Sequence, residues 1–123
     1  MPMQEIHSAA YAGDTKRVAE LLDQGVDVNG VYSASAWTPL HIAVKRDQLE
    51  TAALLLERGA DIEARDENGW TPLHMADSPE AVAFLVEHGA DVNAVDDSGF
   101  TPLGRALGKE LVEAALRQHG GQE

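Results

Sequence analysis

The sequence predicts an all-α fold, a solenoid of four stacked helix-turn-helix units with β-hairpin-like fingers, and three recurring features predict it. A Thr-Pro-Leu start appears as WTPLHIAV from Trp37, WTPLHMAD from Trp70 and FTPLGRAL from Phe100, at spacings of 33 and 30. A leucine-rich segment ending in glycine recurs as LLDQG from Leu21, LLERG from Leu55 and LVEHG from Leu85. An acid-to-glycine turn stands before two of the three starts, as Asp66-Glu67-Asn68-Gly69 and Asp96-Asp97-Ser98-Gly99.

Each element has a local reason. Thr38, Thr71 and Thr101 suit N-cap positions, and Pro39, Pro72 and Pro102 follow where a missing N–H costs nothing and the fixed φ fits a helix. Leu40, Leu73 and Leu103 are then core residues, and Ala43, Ala76 and Ala106 are small enough for close helix approach. In the second helices Val18, Ala52, Val82 and Val112 align as one column and Leu22, Leu56, Val86 and Leu116 as another, four residues apart on one helical face. Gly25, Gly59 and Gly89 fall where a left-handed residue ends a helix. The turns after them put an acid first and glycine fourth, the order a type I turn prefers. A degenerate first copy, EIHSAAYAGDTKRVAELLDQG from Glu5, aligns with the second without a gap and places His7 under His41.

The copies differ in length. Thr71 to Val86 is three residues shorter than Thr38 to Leu56, and Thr101 to Leu116 is expected to have lost the same number. Three residues approximate one turn of about 3.6, so the first helix shortens and the second keeps its facing. Ser78 supplies a new N-cap, Pro79 the first helical residue and Glu80 an acid in the positive first turn, while Gly108 punctuates the fourth copy. The first finger, VYSASAW from Val31, has no acid-to-glycine turn and is one residue longer.

The 123 residues suit a single domain, 1–123, with repeats at about 4–36, 37–69, 70–99 and 100–121. The absence of cysteine excludes a disulfide framework, a thiolate metal site and a cysteine nucleophile. No leader pattern or apolar run of membrane-spanning length is present, so a cytoplasmic protein with no membrane partner is expected. The net charge of −12 argues against a nucleic-acid partner, since phosphate binding needs clustered cations. Residues 57–100 carry eleven acidic side chains against two basic ones, a local −9 that either solvates a face or attracts a basic partner.

Together the TPLH start, the LL-x-x-GAD ending and the D-x-x-G turn make the chain similar to the ankyrin repeat family, over nearly its whole length. The resemblance implies a stack of four units whose outer two act as caps, first helices lining a concave side, and a non-catalytic role in binding another protein. It also implies that His7, His41 and His74 tie hairpins to helix starts through ring hydrogen bonds, rather than forming a metal site. Gly104 breaks that ladder in the last copy. No cofactor is expected, no metal-ligand spacing is present and no catalytic motif is found. Asn29 and Asn93 match a finger asparagine that is hydroxylated in some members of the family.

Candidate contact residues follow from the groove positions of that family. Trp37, Trp70 and Phe100 precede the Thr-Pro pairs, where an aromatic either anchors a partner or packs across to the next finger. Tyr11 lies near the end of the first helix, Lys45 and Arg46 end the second copy's first helix, and Glu67, Asn68, Asp97 and Ser98 occupy fingertips. The function expected is that of a monomeric protein-protein interaction module with a partner that presents a basic surface. A dedicated inhibitor of an enzyme or toxin and a stability-selected scaffold are the alternatives.

Overall fold

The computed structural model describes residues 4–123, and in it every Thr-Pro pair opens a helix. The hydroxyl of Thr38 accepts the amide of His41 at 3.2 Å, Thr71 accepts that of His74 at 3.4 Å, and Thr101 accepts that of Gly104 at 3.1 Å. One amide left over at each helix start is thereby satisfied. The helices are α1 (Glu5–Ala12), α2 (Thr15–Asp23), α3 (Pro39–Lys45), α4 (Leu49–Glu57), α5 (Pro72–Met75), α6 (Pro79–Glu87), α7 (Pro102–Ala106) and α8 (Glu110–Gln118). A 3-10 turn, Ser33–Ser35, lies in the first finger.

The first helices α1, α3, α5 and α7 pack each on the next and form one layer; α2 on α4 and α6 on α8 form the second. Neither helix of a pair covers its own apolar face, so the core runs through the stack. Leu40, Leu73 and Leu103 are buried, as are Ala43, Ala76 and Ala106 between them.

In the second layer Val18, Ala52 and Val82 are fully buried as expected, but the companion column is one residue off. Leu22, Leu56 and Val86 are only partly buried, and the buried side chains are Leu21, Leu55 and Leu85. The reason is how the helices end. Gly25, Gly59, Gly89 and Gly120 take φ near +90° (90°, 95°, 94° and 89°). In that conformation the amides of Val26, Ala60, Ala90 and Gly121 fold back to the carbonyls of Leu21, Leu55, Leu85 and Leu116. That places residue i+3 from the first column inward and leaves Leu56 on an open depression with Ala53, Ala60 and Ile62.

The same bonds correct the last copy. Leu116 belongs in the register of Leu55 and Leu85, so Thr101 to Leu116 is two residues shorter than Thr38 to Leu55, rather than three. The first helices have 7, 4 and 5 residues in copies two, three and four, in step with those losses. In this register Val112 is equivalent to Ala81 and Glu113 to Val82, and Val112 still reaches the core at 5% exposure. The turn between the paired helices uses a left-handed residue in three copies, at Gly13, Asp47 and Gly108. The third copy has none: Ser78 accepts the Ala81 amide at 3.0 Å and donates to Asp47 Oδ1 at 2.7 Å, so the new cap also clips the third copy to the second.

The fingers close alike despite unequal lengths. The amides of Asp66 and Asp96 donate to the carbonyls of Trp70 and Phe100, whereas Tyr32, five residues ahead of its partner, donates to Trp37 at 2.8 Å. The irregular finger absorbs its extra residue through the 3-10 turn and left-handed Ser33 and Ala36. Successive fingers are joined by the Glu67 amide to Ser35 O at 2.9 Å and the Asp97 amide to Asn68 O at 3.1 Å.

Candidate protein-binding surface

The candidate surface lies where finger bases meet the ends of the first helices, and histidines fix that junction. The Nδ1 of His41 accepts the Thr38 amide at 3.1 Å, which puts the ring proton on Nε2, and Nε2 donates to Trp70 O at 2.8 Å. His74 repeats this between Thr71 and Phe100 O at 2.9 Å. His7 donates to Gly30 O at 2.8 Å, while its Nδ1 has no partner, because Gln4 stands where later copies have the capping threonine. Burial pushes all three imidazoles down from their ordinary range, against the raising effect of these backbone carbonyls. They remain neutral structural ties.

The candidate contact residues gather in three groups. Tyr11, Trp37, Lys45 and Arg46 surround one small pocket together with Ile42. The Arg46 guanidinium stacks 4.3 Å from the centre of the Tyr11 ring, which is 47% exposed. Glu67 and Asn68 lie beside Asp97 through the finger-to-finger bond, with Ser98 at the same tip, its amide turned inward to Asp96 Oδ1 at 2.9 Å. Trp70 and Phe100 flank Arg105, whose guanidinium carbon is 5.2 Å and 4.5 Å from their ring centres.

The aromatics divide between packing and display. Trp37 is half-buried and its Nε1 donates to Asp66 Oδ2 in the following finger at 3.0 Å. Trp70, also half-buried, stacks on His74, with planes 21° apart. Its Nε1 is buried without a partner, because the corresponding Asp96 Oδ2 is taken by Arg105 Nε at 2.6 Å. Phe100 is 46% exposed.

Arg105 joins this candidate surface through its contacts with Trp70 and Phe100, and no repeat motif pointed to it. A signal was present: Arg105 stands four residues after Thr101, in the column of Ile42 and Met75, and a cation breaks that apolar column. Much of the acidic surplus is also accounted for. Asp27, Asp61, Asp66, Asp91 and Asp96 each accept an amide two residues ahead, and Glu63 accepts the Asp91 amide at 2.7 Å. The aspartates shape turns, whereas Glu63 ties its copy to the next. Asn29 and Asn93 each clamp the segment that follows the next copy's second helix: each amide nitrogen donates to a helix-ending carbonyl, Gly59 O or Gly120 O, and each oxygen accepts, from Asp61 N or Gln122 N at 2.8 Å.

Among the described residues no group of His, Cys, Asp and Glu is arranged to hold a metal ion, and no helix is long and apolar enough to cross a membrane.

Two family models match, Ankyrin repeats (many copies) over residues 21–76 and Ankyrin repeats (3 copies) over residues 63–122. The chain is 43% identical over 68 residues to the 2-5A-dependent ribonuclease of Mus musculus, covering 55% of this chain and 9% of that protein. It is 35% identical over 77 residues to the Ankyrin repeat domain-containing protein 40 of Homo sapiens, covering 63% of this chain and 21% of that protein. It is 36% identical over 73 residues to the ARF GTPase-activating protein Git of Drosophila melanogaster, covering 59% of this chain and 10% of that protein. The chain thus spans under a quarter of the length of these curated relatives. With the family models meeting across residues 21–122 and the helix pairs stacked in series, the chain belongs to the ankyrin repeat proteins.

Proposed function

We propose that residues 4–121 act as one non-catalytic recognition unit that binds a partner protein in the groove between the fingers and the first helices. The contacts are assigned to Tyr11, Trp37, Lys45, Arg46, Glu67, Asn68, Trp70, Asp97, Ser98 and Phe100. The observation that carries this reading is a division of labour along the junction. Asp66, Asp96, His41 and His74 are buried and saturated by internal bonds, whereas Tyr11, Phe100, Glu67 and Asp97 beside them stay exposed. Exposed aromatics on a rigid scaffold bury large area at low entropic cost.

The two fingertip acids favour a basic surface opposite them, and screening predicts that such binding weakens as salt is added. The chain would be immobilised beside a Tyr11→Ala/Phe100→Ala variant and a Glu67→Lys/Asp97→Lys variant, and the proteins retained from a cell extract compared by mass spectrometry. Partners lost with the first variant and salt-sensitive through the second support the reading. Identical retention by all three, with each shown folded by circular dichroism, overturns it.

A further inference from the structure

We propose that the pocket walled by Tyr11, Trp37, Ile42, Lys45 and Arg46 is a docking subsite for an aliphatic side chain flanked by a carboxylate on the partner segment. This rests on the groove reading above and adds the chemistry of the ligand at the amino-terminal end of that groove.

The charges point to an acidic group. Arg17, Arg58, Arg105, Lys109 and Arg117 each pair with a carboxylate, and Arg65 donates to the carbonyls of Gly69 and Val95. Among the described residues Lys16, Lys45, Arg46 and Arg65 make no ion pair, and of these Lys45 and Arg46 are adjacent at the end of α3. Asp47, next to Arg46 in the chain, accepts from Ser78, and Asp77, whose carboxyl also feels the charge of Lys45, forms its ion pair with Lys109 at 3.0 Å. Arg46 is already held by its stack on Tyr11, and a stacked guanidinium keeps its in-plane N–H groups available to a carboxylate.

The pocket specifies the rest. Its exposed wall is wholly apolar, its volume is ≈ 80 Å³, and Lys45 and Arg46 contribute their aliphatic stems at the rim. A cavity that houses a benzene ring is roughly 150 Å³. The pocket therefore matches a branched aliphatic side chain better than an aromatic ring. A carboxylate next to that side chain meets Lys45 or Arg46, while Glu67 and Asp97 at the fingertips repel it. The opposed signs orient the bound segment.

The probe is a phage-displayed library of random dodecapeptides selected on the full chain, each enriched peptide then being measured on a Lys45→Glu/Arg46→Glu variant. Both side chains are exposed, so the variant folds, which circular dichroism and thermal unfolding verify. The expected result is enrichment of Val, Leu or Ile next to Asp or Glu, with synthetic copies of the peptides binding about tenfold or more weakly to the variant. Exchanging their Asp or Glu for Lys should restore binding to the variant. Enrichment of basic or aromatic motifs, no enrichment, or equal competition by inorganic phosphate overturns the proposal, since a bare anion site needs no apolar wall. Peptides that ignore the Lys45/Arg46 reversal but are lost with Phe100→Ala defeat this subsite and leave the groove reading standing. Peptides indifferent to both changes defeat both.

Discussion

Arg105 Nε lies 2.6 Å from Asp96 Oδ2, the oxygen whose counterpart one finger earlier, Asp66 Oδ2, receives the indole N–H of Trp37. One cation has replaced an aromatic donor in an otherwise repeated junction, and Trp70 Nε1 is left without a partner. Burial alone would push the Asp96 carboxyl up. The bond from Arg105 and the amides of Phe100 and Ser98 outweigh it and hold the group below its usual range.

Arg105→Met should therefore leave a buried carboxylate short of a charged partner and cost about 1–3 kcal/mol, measured by urea unfolding at neutral pH. A double variant with Asp96→Asn should recover part of the loss. If Arg105→Met is neutral, the indole of Trp70 has taken over the bond, which its fluorescence would report.

Acidification should weaken the fold through the histidine ties. The unfolded chain takes up protons near pH 6.5, whereas the buried rings of His7, His41 and His74 have lowered values and stay neutral further down. Stability is then fully present above about pH 6.5 and falls as the pH drops below it. Thermal midpoints at pH 7.5 and 5.5 would show the decline, and His41→Gln should flatten it. A midpoint unchanged across that interval would contradict the assignment of neutral rings.

The leucine register is open to a paired test. Leu55 is fully buried, so Leu55→Ala should cost roughly 2–5 kcal/mol, and Leu56→Ala clearly less, because its side chain is only partly covered. Equal losses in denaturant unfolding would return Leu56 to the core.

Gly69 and Gly59 separate two reasons for glycine. Both have positive φ, 75° and 95°. An added Cβ at Gly59 meets nothing, but at Gly69 it would lie 2.8 Å from the Asp97 amide. Gly59→Ala should cost about 1 kcal/mol for conformation alone, and Gly69→Ala more, of order 2–3 kcal/mol, since the finger-to-finger bond must also shift.

The cap made by Ser78 serves two copies. Ser78→Ala should cost about 1 kcal/mol by thermal or denaturant unfolding, and Asp47→Ala should remove part of the same interaction, so the double variant should be less than additive.

Local chemistry is written in the order of residues, and that much the sequence determined by itself. A threonine followed by proline starts a helix, glycine after the second helix ends it, and Ser78-Pro79 rebuilds a start where three residues are missing; each depends on atoms within a few positions. The recurrence of those signals was enough to give the number of helix pairs and the family. The register of the second layer was not legible, because Leu55 and Leu56 are equal in hydrophobicity and only the returning amide of Ala60 decides which one faces inward. The same geometry showed that the fourth copy is short by two residues.

Tertiary structure alone decided which acids and aromatics are spent internally. Asp66 and Glu67 are neighbours of like charge, yet Asp66 is 8% exposed and committed to Trp37 and its own turn, while Glu67 is open. Arg105 joined the candidate surface because α7 brings it against two fingers whose aromatics are 35 and 5 residues earlier in the chain. Such assignments depend on which donor reaches an acceptor first across a packed interface, a distance that no spacing along the chain encodes.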